Sequence, residues 1–140
     1  MESVARWAGG LKFEGSFSTG HSIVLDGSSE HGGGDEGPRP VEMLLMGLAG
    51  CTGMDVIAML RKKRQNVSAF RVLVSGERRE EHPRVFKSIR VVYEVTGKGI
   101  DIEVVRQAVH LSEEKYCSVS SMLRKAVEVS TDVRVLDGRV

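Results

Sequence analysis

Cysteine and aromatic residues are both scarce in this 140-residue chain, and each scarcity excludes something. Two cysteines, Cys51 and Cys117, far apart in sequence, do not make the disulfide framework of a small secreted domain. Aromatic residues make up 5% and are not interleaved with basic ones, while 20 Lys+Arg against 19 Asp+Glu leave a net charge of +1. That balance gives no basic face for DNA or RNA, so no nucleic-acid partner is expected. The four histidines, His21, His31, His82 and His110, are too scattered to share a ligand spacing with the cysteines, so neither a metal nor a cofactor is expected. No apolar run reads as reaching the roughly 18 to 20 residues of a membrane span, and the first residues lack the basic and apolar regions of a signal peptide. A soluble, cytoplasmic, single-domain protein over residues 1–140 is the expectation.

What is present is a clear succession of patterns. "VARWAG", "LKFEGSF" and "HSIVLDG" (residues 4–9, 11–17 and 21–27) are short glycine-bounded segments, and Leu11, Phe13, Ile23 and Leu25 alternate with polar residues as half-buried strands do. "GSSEHGGGDEGPRP", residues 27–40, has no apolar anchor and reads as a mobile loop. Its glycines are not a phosphate loop, since they lack the Lys and Ser/Thr that meet a phosphate and carry carboxylates that repel one.

From Val41 to about Arg64 the pattern predicts a long helix, opened by Pro40 and closed by the basic run "RKKR" at its negative dipole end. Leu44, Leu48 and Cys51, continued by Asp55, fall on one stripe, while Leu45, Met46, Ala49, Ile57 and Leu60 spread apolar surface around the rest. A helix apolar on most sides is an interior helix, which puts Cys51 in a buried position. Gly47, Gly50 and Gly53 each cost such a helix about 1 kcal/mol relative to alanine, so close packing or open space beside the sulfur is the expected compensation.

Two longer strands follow, "AFRVLVSGERR" and "VFKSIRVVYEVTG", with Ile89, Val91, Tyr93 and Val95 on one face and "EEHPR" as the hairpin loop. Asp101 caps a helix running to about Lys115, with Ile102, Val105, Ala108 and Val109 inward. A short helix over about 119–127 and a closing strand in "VEVSTDVRVLDGRV" complete an α+β chain with antiparallel sheet.

Taken alone, Cys51 reads first as a small buried hydrophobe, since free cysteine is among the most buried residue types, with a reactive thiol as the alternative. Asp55, one helical turn on, opposes a thiolate there, so reactivity would need a cation nearby. Cys117 lies between one helix end and the start of another, where backbone N–H groups favour a thiolate.

The long helix "PVEMLLMGLAGCTGMDV", with its cysteine in a cluster of small residues, and "KYCSVSSML" further on together resemble the OsmC/Ohr family of osmotically inducible and organic hydroperoxide resistance proteins. The likeness covers nearly the whole chain, including "GLKFEGSFSTGHSIVLDG", and is nearest to the YhfA-like branch. It implies an OsmC-like fold in which antiparallel sheets wrap around long central helices in an intertwined homodimer, with two sites at the subunit interface. It also implies a thiol-dependent peroxidase. Cys51 matches the peroxidatic cysteine, which an organic hydroperoxide oxidises to a sulfenic acid, and Cys117 matches the resolving cysteine. The resulting disulfide is reduced by a dithiol, a lipoylated protein in some members.

The family's peroxidases place a glutamate directly after the proline, where this chain has Val41, and the acid comes one position later as Glu42. An arginine from the N-terminal region pairs with that glutamate in those enzymes; Arg39 and Arg6 are the candidates here by location. A regular helix puts Glu42 about 13 Å along the axis from Cys51, so its alternative role is that of an N-terminal helix acid favoured by the dipole. A non-enzymatic redox sensor or small-molecule binding protein of the same fold is the alternative function.

Overall fold

The computed structural model describes residues 1–138 and divides the chain into two compact units, residues 1–44 and 45–140. In the first unit, β1 (Ser3–Trp7), β2 (Phe13–Phe17) and β3 (Ser22–Leu25) form an antiparallel meander, with Ser3 opposite Phe17 and Phe13 opposite Leu25. β1 is exposed along its whole length.

The segment after β3, expected to be a mobile loop, is instead organised around one buried carboxylate. Asp26 accepts hydrogen bonds from the backbone N–H of Gly27 (2.7 Å), Gly34 (3.2 Å) and Glu36 (3.2 Å), while its own N–H donates to Pro38 O. A single 3-10 turn, Ser29–His31, sits within the loop. A side chain at Gly33 or Gly37 would collide with the backbone of Gly27 or Val24, so the glycines serve close approach. The loop has no apolar anchor because a polar one replaces it.

The second unit contains most of α1 (Pro40–Lys62), whose first turn belongs to the first unit. It continues with β4 (Val67–Arg78), β5 (Phe86–Gly97), α2 (Ile102–Leu111), a single π-helical turn (Ser112–Tyr116), α3 (Ser118–Leu123) and β6 (Glu128–Asp137). β4 pairs antiparallel with β5, Val72 opposite Tyr93. β6 pairs parallel with β5, Tyr93 opposite Val133. The expectation of purely antiparallel sheet is corrected there: a crossover made of α2, the π turn and α3 brings the chain back to the strand's starting end, as parallel pairing requires. The final two residues of the closing segment, 139 and 140, lie outside the described residues.

The core of this unit joins three faces. Leu48, Val56 and Leu60 come from α1, Ile89, Val91, Tyr93 and Val95 from β5, and Val105, Ala108 and Val109 from α2, with Cys117 among them. The alternation read in β5 and the inward face read in α2 are thus observed, and Asp101 caps α2 by accepting from the Glu103 N–H at 2.9 Å. Two expectations about α1 change. At 23 residues it is long and apolar enough, by length and composition, to cross a membrane, which corrects the reading that no run reaches that length. Nor is it interior on all sides: only Leu48, Thr52, Val56 and Leu60, one residue per turn, are buried, while Met54 is 73% exposed.

Burial works against the charge on Asp26, but its three backbone donors overcome it and hold the carboxyl below its ordinary 3.8. A carboxyl lowered in the fold stabilises the loop above its unfolded value and loses that contribution as pH falls through the folded one. Asp26→Ala is expected to speed hydrogen exchange at the amides of Gly27, Gly34 and Glu36. In the unsubstituted chain the same amides should lose protection as pH drops below 3.8. Unchanged exchange in the variant would remove Asp26 as the organiser.

Candidate active site

The two cysteines, far apart in sequence, are neighbours in the fold: Cys117 lies in the core cluster, Cys51 packs against that cluster, and Cys51 stands near enough to act on the Cys117 thiol. Cys51 is half-buried on α1, and Cys117 is 1% exposed, so the expected burial of Cys51 is found at the other cysteine. The cause is local. α2 does not run on to Lys115 as a regular helix; after Leu111 it widens into a π turn in which the Cys117 N–H donates to Ser112 O at 2.7 Å. Such turns reposition side chains relative to a regular helix, and this one carries Ser112 inward, with no exposed surface, and delivers Cys117 to the core. Cys117 then starts α3, its Sγ accepting from the Ser120 N–H at 3.3 Å.

The expectation of a thiolate-favouring environment at Cys117 is overturned. Burial pushes its thiol up to about 11, and the neighbouring Cys51 and Asp55 act the same way. The Ser120 N–H pulls in the other direction and does not prevail.

Around the thiols runs a polar network that sequence reading missed. Among the described residues, three of the four buried polar side chains belong to it: Thr52, Ser112 and Ser120. Ser112 Oγ donates to Asp55 Oδ2 at 2.8 Å. Thr52 Oγ1 lies 2.8 Å from Ser112 Oγ and 2.7 Å from Tyr93 OH. Tyr93 OH donates to Glu113 Oε1 at 3.1 Å, and Thr131 Oγ1 donates to the same oxygen at 2.6 Å. Arg124 Nη2 pairs with Glu113 Oε2 at 3.0 Å, and Arg124 Nε donates to Ser120 Oγ at 3.0 Å. A buried hydroxyl without a partner costs roughly 1 to 3 kcal/mol, and among the described residues none of these buried atoms lacks one. Burial holds the Tyr93 phenol well above its ordinary range; the contact with Thr52 lowers it, whereas the charge and hydrogen bond of Glu113 raise it further. Thr52 was legible in principle, since it completes the four-residue stripe of Leu48, Val56 and Leu60.

The other predicted residues have partners of their own in the first unit. Glu42 Oε1 accepts from the Arg39 N–H at 2.9 Å, closing the start of α1 as the third-position acid of a capping box does. Arg39 pairs with Asp35 at 2.6 Å and donates to Gly37 O, and Arg6 pairs with Glu14 across the β1–β2 pair. The cation built into the polar network of the second unit is Arg124.

The glycines of α1 divide between the two expected reasons. An added Cβ at Gly53 would stand 3.3 Å from Val72 of β4, a close approach, whereas Gly47 and Gly50 face open space. Beside the network, an open groove of about 500 Å3 runs between α1 and α2, with Asp55, Met59, Leu111 and Tyr116 on its walls and Lys62 and Lys63 at one end.

In the folded protein at pH 8, iodoacetamide is expected to alkylate Cys51 well before Cys117, which should react only on unfolding; peptide mass spectrometry reads the order. Equal labelling would contradict the burial described above. The raised thiol also carries a stability term, complete below the ordinary 9.0 and lost as pH rises through about 11.

Residues 32–132 match the model of the family described as OsmC-like protein. The chain is 43% identical to protein YhfA of Escherichia coli strain K12 over 97% of its own length and 98% of that protein. Among solved structures, a hypothetical protein from Aquifex aeolicus VF5 is 30% identical with a TM-score of 0.86, covering 99% of this chain and 97% of the other. The organic hydroperoxide resistance protein OhrB of Bacillus subtilis shares the fold with a TM-score of 0.63 at 22% identity, over 95% of this chain and 96% of the other. With the family model spanning most of its length and a relative of this similarity, the chain belongs to the OsmC-like family.

Proposed function

We propose that this protein is a thiol-dependent peroxidase that reduces organic hydroperoxides, with Cys51 as the attacking thiol and Cys117 as the resolving one. The observation that carries the reading is the placement, side by side at one core, of a half-buried thiol and a buried one. An accessible sulfur meets the peroxide, and a protonated neighbour waits for the sulfenic acid. Condensation then releases water: Cys117 S–H and Cys51 S–OH become a disulfide and H2O. The high Cys117 thiol suits this order, because the proton it keeps leaves with the hydroxyl. A dithiol, such as the lipoyl group of a lipoylated protein, would restore both cysteines by exchange. The fold likeness to proteins named for organic hydroperoxide resistance is consistent with this chemistry. In this reading Glu42 and Arg39 shape the start of α1 and Arg6 stabilises the β1–β2 pair; none takes a chemical step.

The working form in this reading is a homodimer. Met46 and Met54 are largely exposed on α1, and Gly47 and Gly50 leave room beside them for close approach. In the first unit Trp7 is 65% exposed, and Val4, Phe13 and Phe17 are exposed too. Apolar surface of this kind is normally covered by a partner, and a second copy of the chain presents the same unmet surface.

One equivalent of cumene hydroperoxide is expected to remove two hydrogens from the reduced protein through a Cys51–Cys117 bond. Cys117→Ser should instead accumulate oxidised Cys51, and Cys51→Ser should stay reduced at Cys117. Intact thiols in the unsubstituted protein after excess peroxide would end the peroxidase reading. By sedimentation the protein should have twice the chain mass, and Met54→Lys should shift it toward the monomer; a monomeric unsubstituted protein would overturn the dimer.

A further inference from the structure

Asp55, Ser112, Thr52, Tyr93 and Glu113 form one unbroken chain of oxygen atoms with four contacts, from 2.7 to 3.1 Å. Its three hydroxyls hold three hydrogens, and ionised carboxylates only accept. Ser112 donates to Asp55 and Tyr93 to Glu113. Thr52 is left with one hydrogen between two acceptors, Ser112 Oγ at 2.8 Å and Tyr93 OH at 2.7 Å. One contact therefore has no hydrogen, and the chain has room for a single further proton.

Its two ends differ. Glu113 is balanced by Arg124 at 3.0 Å and takes a further hydrogen bond from Thr131. Asp55 makes no salt bridge among the described residues, lines the open groove, and follows Cys51 by one helical turn, the spacing at which side chains on a helix meet. The vacancy is thus open to exchange at the end beside the thiols.

We infer that this chain is a one-proton store for the thiol pair, taking up the proton that Cys51 loses and returning it to the alkoxide that the peroxide releases. The inference rests on the peroxidase reading. When Cys51 ionises, its proton enters at Asp55 and the hydroxyls turn, Asp55 donating to Ser112, Ser112 to Thr52, Thr52 to Tyr93 and Tyr93 to Glu113, so that every contact holds one hydrogen. The thiolate then attacks the terminal oxygen of ROOH. The S–O bond forms, the O–O bond breaks, sulfur is oxidised by two electrons and the peroxide reduced by two. RO− takes the stored proton and leaves as ROH, and the chain returns to three hydrogens. Thr52, Ser112 and Tyr93 are positioning residues here, acting through Asp55.

The test compares two oxidants whose leaving groups differ. Cumene hydroperoxide releases a strongly basic alkoxide that needs a proton, and peracetic acid releases acetate, which does not. Thr52→Val and Tyr93→Phe each reduce the chain to two contacts with two hydrogens and so abolish the vacancy. The ratio of the Cys51 oxidation rate with cumene hydroperoxide to that with peracetic acid, measured by stopped flow at neutral pH, is expected to fall at least about tenfold in both variants, as loss of general acid catalysis does. Thr52→Ser, which keeps the hydroxyl, should restore it. A ratio unchanged in the variants, with both rates falling together, would mean the network only supports the fold and would overturn the store. If Thr52→Val fails to fold, Tyr93→Phe decides alone. An unsubstituted protein that reacts with neither oxidant would fail at the peroxidase reading itself, which separates the two outcomes.

Discussion

The hydroxyl of Thr52 has no exposed surface and sits in the one buried stripe of a helix that is otherwise leucine and valine at that face. It cannot be left there unpaired, and satisfying it organises the second unit. Its two contacts reach 41 residues forward to Tyr93 on β5 and 60 residues forward to Ser112 in the π turn. Ser112 in turn fixes that turn from two sides, through its hydroxyl to Asp55 and its carbonyl to the Cys117 N–H. Meeting the hydrogen-bonding needs of one threonine thus brings Cys117 beside Cys51. The same interaction that prevents a buried polar penalty therefore also sets the two thiols beside each other.

How much of this was legible in the sequence depended on whether a pattern had one partner or several. In β5 every second residue from Ile89 to Val95 is buried against α1 and α2, so Ile89, Val91, Tyr93 and Val95 are placed by spacing alone, although Val92 between them is buried as well. The Asp101 cap is a local interaction and was equally readable. Parallel pairing of β6 was not, because strand direction is set by the length and helical content of the crossover, not by the strand's own residues. The loop after β3 was misjudged for a related reason: a single aspartate with three backbone donors does the work usually assigned to apolar anchors, and composition counts it as solvated charge.

The site shows the same division. The two cysteines and their matching to a family came from short, contiguous segments. Tyr93 was placed inward as though its ring were the whole residue; its hydroxyl had no visible partner because Thr52 and Ser112 are distant in sequence. Thr52 falls outside a stripe through Leu44, Leu48 and Cys51, whereas burial follows every fourth residue from Leu48. Glu42 and Arg39 were drawn to attention by position, and the structure gives both a local task at the start of α1.

The contrast between the two sulfurs has a physical logic. A resolving thiol that ionised early would compete for oxidant and place a second negative charge beside the first, against Asp55 as well. In the proposed reaction, burial removes both problems at Cys117, whose raised thiol would keep its proton until a sulfenic acid offered a hydroxyl to carry it away. The proposed attacking thiol has the opposite requirement, since it would shed its proton before attack, and Cys51 is the less buried of the two. Two cysteines of identical intrinsic chemistry are thereby given different surroundings by placement alone, one half-buried on α1 and the other at a π turn that carries it into the core.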